Sequence, residues 1–182
     1  MMRYIPPKFE DYSDRQKEIH NTIANGPRGQ VRGPLALWLH RPELAAKAQD
    51  LGRYCRYESS LAPLLSELAI LVTARHWSAE FEWQAHKPFA LQAGVSLDII
   101  EAIQERRTPV FQDPKMAVVY DFSSELTTEK RVSDAVFQEA IERLGREGVV
   151  DLTAVLGYYS FVSMTLCVFE VPAIYPDQIE MA

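Results

Sequence analysis

Between Leu61 and Ala74 the sequence reads LAPLLSELAILVTA, with Glu67 as its one charged residue. A helix apolar on every side has to be buried, so this segment belongs at the centre of a fold. Its lone carboxylate then needs a partner or a raised pKa. The pattern predicts two helices joined by a short turn, Ala62–Arg75 and Ser78–Ala93. The second is amphipathic. Glu80, Gln84, Lys87 and Gln92 lie largely to one side; Ala79, Trp83, Phe89, Ala90 and Ala93 lie to the other, with Glu82 and His86 among them. Residues four apart share a helix face, so Glu82 and His86 can meet, close to the buried Glu67. Trp77, Phe81 and Trp83 would form a low-dielectric wall that raises a Glu pKa, while a neighbouring imidazolium lowers it. The pair is therefore expected to exchange a proton near pH 7.

Elsewhere helix signals recur and strand alternation does not, which predicts an all-α fold. Helices are expected over Glu10–Asn25, Pro34–His40, Pro42–Tyr57, Leu97–Arg107, Lys115–Leu126, Ser133–Leu144 and Val149–Phe169. A turn is expected at Gly145–Gly148, with extended arms at 1–9 and 171–182. The length of 182 residues suits one domain spanning 1–182. No stretch reads as a membrane span, and Leu152–Phe169 suits a buried helix better. The start has no secretory pattern, and Cys55 and Cys167 form no CxxC. Reduced structural thiols and a cytoplasmic location are expected.

The formal net charge of −6 gives no bulk attraction to nucleic acid or to an anionic membrane, and neither is expected as a partner. An anionic substrate would need local positive charge, of which Arg75, His76, Arg106 and Arg107 are the nearest supply in sequence. Arg28 and Arg32, in the loop GPRGQVRG, read either as parts of a connector or as contacts to an anion or a neighbouring subunit. Tyr158 and Tyr159 place phenols in an apolar helix, where one facing the site could hold a substrate oxygen. Glu82, His86 and Glu67 lack the further His that a carboxylate metal site would use, so no metal is expected.

The string ELAILVTARHWSAEFEWQAHKPFALQAGVSLDIIEAI resembles the central helical hairpin of the carboxymuconolactone decarboxylase family, which includes the alkyl hydroperoxidase D proteins. The flanks GPLALWLHRPELAAKAQDLGRYCRYES and GYYSFVSMTL are similar to the same family. The resemblance implies an all-α fold built on this hairpin and a homo-oligomer, trimer or hexamer. The Glu, Cys, Cys and His of the peroxidase branch fall on Glu67, Ala79, Glu82 and His86. Both thiols are absent, which disfavours hydroperoxidase activity through that disulfide cycle. The decarboxylase branch implies a carboxy-lyase without a cofactor, acting on a small carboxylated or lactone-type substrate. In that reading His86 with Glu82 handles the proton, Glu67 orients His86, and Trp83, Tyr158 and Arg75 bind substrate. A hydroperoxidase using Cys55 or Cys167, or a non-catalytic oligomer that binds a small molecule, are the alternatives.

Overall fold

The computed structural model describes Arg3 and residues 5–181; Met1, Met2, Tyr4 and Ala182, at the ends of the expected arms, lie outside the described residues. Among the described residues there are eight α-helices and no strand. They are α1 (Asp14–Ala24), α2 (Pro34–Trp38), α3 (Pro42–Arg53), α4 (Pro63–Trp77), α5 (Glu80–Ala93), α6 (Leu97–Gln104), α7 (Pro114–Glu129) and α8 (Asp134–Val168).

The helix α4 is the axis of the molecule. Every residue from Leu65 to Arg75 is buried, because α5, α7 and α8 pack around it and α6 closes its far end. Its apolar circumference is thus matched by neighbours on all sides. Ser78 ends it in a left-handed conformation (φ 50°), and the Ala79 N–H reaches back to the Ala74 carbonyl at 2.9 Å. The partner helix therefore starts at Glu80, two residues later than the expected Ser78. It continues through Pro88, and Gly94 (φ 103°) terminates it.

Two local departures shape the site. The helix α3 does not run smoothly to Tyr57 but widens into a π-helical turn, Tyr54–Glu58. There the Ser59 N–H bonds to the Tyr54 carbonyl at 2.9 Å. Such turns shift the side chains that follow around the helix, and here Cys55 goes into the core while Arg56 and Tyr57 line a cavity. Near the N-terminus, Ser13 forms a capping box with Gln16, which places the start of α1 after Ser13 rather than at Glu10.

Within α8 only Gly145 (φ 74°, ψ 173°) leaves helical geometry. The expected turn over Gly145–Gly148 contracts to a kink at that single residue, which still separates the two expected helices. Contrary to expectation, α8 is long and apolar enough by composition to cross a membrane, although most of its apolar stretch is buried in this fold.

The segment 171–181, expected as an extended arm, lies as a strap along α5. Glu80 accepts from the Glu180 and Met181 N–H groups at 3.0 and 2.9 Å. The Gln84 side chain donates to the Gln178 carbonyl at 2.8 Å and accepts from the Tyr175 N–H at 2.7 Å. Lys87 pairs with Glu180, and Met181 is buried in the core. The polar side of α5 thus holds this strap. Deleting residues 173–182 is expected to lower stability by at least about 2 kcal/mol, through the emptied Met181 site and the orphaned Glu80 and Gln84 groups. Urea unfolding of the shortened chain checks this.

Candidate functional site

One turn of α4 and one turn of α5 face each other across the hairpin, and their polar residues meet. His86 Nδ1 lies 2.6 Å from Glu67 Oε2, and His86 Nε2 lies 3.1 Å from Glu82 Oε1. All three residues are buried, with 4–6 % of their surface exposed. Both ring nitrogens face carboxylates, so both can donate only if the ring is an imidazolium. Burial opposes that charge, but the Glu67 carboxylate, with help from Glu82, prevails and lifts the His86 pKa to about 9. The titration expected near pH 7 is therefore shifted upward, and the His86 ring rests protonated at that pH. With both nitrogens engaged, a metal could reach the ring only by displacing a carboxylate. Among the described residues no group of three or more His, Cys, Asp and Glu side chains is placed to hold a metal ion.

The triad forms part of the wall of a cavity of about 730 Å³ between α5, the π turn, α8 and the loop before α2. Glu67, Glu82, His86 and Tyr158 all line it. Trp83 and Arg75 do not. Trp83 is fully buried and donates its indole N–H to Glu180 at 3.1 Å. One residue beyond Glu82 is about 100° further round the helix, which turns Trp83 toward the strap. Arg75 sits in the last turn of α4, where its Nε donates to the Gln104 carbonyl at 2.6 Å. It ties α4 to α6 and is spent on structure.

The positive charge comes instead from Arg28, Arg32 and Arg56, all lining the cavity. Arg56 stacks on Phe89 at 4.3 Å and approaches Glu67 at 3.9 Å. Arg32 lies over Phe81 at 5.9 Å. The GPRGQVRG loop thus brings Arg28 and Arg32 to the cavity wall. Arg56 was not singled out in the sequence, because only the π turn brings it inward.

The two tyrosines behave differently. Burial raises the Tyr158 pKa to about 12 despite nearby Arg28. Tyr159 packs edge-on to the His86 ring at 5.0 Å, and burial next to Glu82 drives its pKa well above 10. Both stay protonated hydroxyls. Gly52 on α3 gives Tyr158 and Arg28 their room: a Cβ there would stand 2.1 Å from the Tyr158 hydroxyl and 2.5 Å from Arg28 Nη2. Gly52→Ala is expected to destabilise by about 1–2 kcal/mol, since the crowding outweighs the helix gain from alanine. A lowered denaturation midpoint together with weakened ligand binding would be the measured result.

Neither thiol lines the cavity. Cys55 is buried and its pKa is pushed up to about 11. Cys167 is exposed on α8.

No family model and no curated protein sequence matches this chain. Solved structures do. The debrominase Bmp8 superposes with a TM-score of 0.71 at 14% identity, both in the apo form and as a Cys-to-Ala variant in complex with 2,3,4-tribromopyrrole. The matches cover 94–96% of this chain and 90–92% of theirs. The fold is the alkyl hydroperoxidase D-like helical fold. Identity at this level carries the architecture alone.

Proposed function

We propose that this chain is a small-molecule enzyme of the carboxymuconolactone decarboxylase kind, using acid–base chemistry without a cofactor. The observation that carries the reading is the buried Glu67–His86–Glu82 relay, with a protonated imidazole, in the wall of a cavity. A carboxylated or lactone-type substrate would lose CO2 as its C–C bond breaks, leaving the electron pair on a carbon conjugated with the carbonyl. A proton must then reach that carbon. Both His86 nitrogens are engaged, so the substrate meets Glu82, which passes on the proton it takes from His86. Glu67 positions the ring and keeps it charged.

The absence of thiols from the cavity wall weighs against the hydroperoxidase alternative, and the Cys55 pKa of about 11 leaves little thiolate at neutral pH. The homo-oligomer stays part of this proposal. It is supported by the outward face of α8, where Val150, Phe161, Met164 and Val168 are exposed at helical spacing. The test is turnover of carboxymuconolactone and related lactone acids, followed by absorbance and CO2 release, on the wild type and His86→Ala. CO2 release that the variant loses is the expected result. Full turnover by His86→Ala would reject the relay, and no turnover by the wild type would reject the lyase.

A further inference from the structure

The cavity wall carries donor atoms left without a hydrogen bond, although Arg56 Nε has an ion-pair contact with Glu67 at 3.9 Å and the Arg28 guanidinium also meets the Tyr158 hydroxyl. Arg28 Nε and Nη2, Arg56 Nε and the Tyr159 hydroxyl are all shielded from solvent and lack a hydrogen-bond partner. Tyr159 is the most telling of them. Only 2% of it is exposed, it lines the cavity, and its ring contacts His86, yet its hydroxyl bonds to nothing. Buried polar groups in folded proteins are nearly always paired, and each exception calls for a reason. Of the six such atoms among the described residues, four belong to residues that line this cavity; Trp77 Nε1 and Ser163 Oγ do not.

Charge points the same way. The charged groups lining the cavity are Arg28, Arg32, Arg56 and protonated His86 against Glu67 and Glu82, four positive and two negative, on a chain whose formal net charge is −6. Both carboxylates face His86, and Glu67 also meets Arg56 at 3.9 Å, which still leaves two positive charges in excess. Phe81, Phe89, Leu35 and Val162 supply apolar wall alongside them. A planar guanidinium fork matches a carboxylate, and the apolar wall suits an organic body over a bare inorganic ion.

We propose that Arg28 and Arg56 bind the carboxylate of a small organic acid in this cavity, with the Tyr159 hydroxyl donating to one of its oxygens. This assigns anchoring residues for the carboxylated substrate class proposed above, and so rests on that reading for its biological meaning. The binding itself does not require turnover.

The experiment is calorimetric titration of benzoate, phthalate and maleate, each beside its methyl ester, into the wild type, Arg28→Gln, Arg56→Gln and Tyr159→Phe. At least one acid is expected to bind while its ester does not. Either arginine change should weaken binding about 10–100-fold, the loss expected for a charged hydrogen bond. Arg28→Lys, which keeps the charge but not the fork, should fall between. Tyr159→Phe should weaken binding several-fold while leaving the ligand-free protein as stable as before, or more so, since it removes an unpaired hydroxyl. A structural hydroxyl would instead show a lowered denaturation midpoint. The proposal is overturned by equal affinity for acid and ester, by arginine variants that bind as the wild type does, by inorganic phosphate competing as well as the acids, or by no acid binding below about 10 mM. Carboxylate binding of the expected kind without turnover of any acid would support this site and sink the lyase reading separately.

Discussion

His86→Ala is expected to slow lactone-acid turnover by about 10²–10⁴-fold, the range for removing a positioned general acid. The loss should fall on kcat with KM little changed, because the proposed anion contacts lie on Arg28 and Arg56. Glu82→Gln should do nearly as much damage. His86 reaches the substrate only through that carboxylate, with Nε2 at 3.1 Å from Glu82 Oε1 and Nδ1 held by Glu67. A neutral amide can still accept from His86 but cannot pass a proton on. If Glu82→Gln turned over at the wild-type rate while His86→Ala did not, His86 would have to break its bond to Glu82 and act directly. Comparable losses in both variants establish the relay.

The centre of this arrangement was legible in the sequence because it rests on helical periodicity. A helix apolar on all sides with one carboxylate, facing a helix that carries Glu82 and His86 four residues apart, leaves little freedom in where those groups meet. The cavity's cations were not legible in the same way. Arg56 turns inward because α3 widens at Tyr54–Glu58, a change of register with no sequence signature comparable to a cap or a proline. Arg28 arrives from an irregular loop whose course depends on Gly52 leaving space beneath it. Arg75 was the natural candidate by proximity to Glu67 in sequence, but two helical turns separate them and the Gln104 carbonyl holds its guanidinium. Trp83 likewise followed the apolar face on paper, whereas the strap over residues 171–181 gave that side of α5 a second partner. Local pattern located the acid–base pair; only tertiary structure located the charge that surrounds it.

The stability of the protein is expected to fall between pH 6.5 and 9. His86 has an ordinary pKa of 6.5 and a folded-state pKa of about 9. A group whose pKa is raised on folding contributes in full below its unfolded value, and the contribution fades as pH climbs through the folded one. At 1.36 kcal/mol per pKa unit, the His86 contribution is on the order of 3 kcal/mol below pH 6.5 and is nearly gone by pH 9. Cys55, Tyr158 and Tyr159 titrate at higher pH, and the His76 pKa is lowered by burial, so their effects fall outside this window. Urea unfolding measured at intervals from pH 6 to 9 should show the decline. Glu67→Gln should flatten it, because the first of the attractions that keep the imidazole charged is gone. The variant should also be less stable at pH 6 by roughly 3 kcal/mol, the scale for removing one partner of a buried ion pair. A wild-type profile that stays level to pH 9 would mean that the folded His86 keeps its ordinary pKa of 6.5 and is mostly neutral above pH 7, leaving the proposed relay short of a proton to deliver.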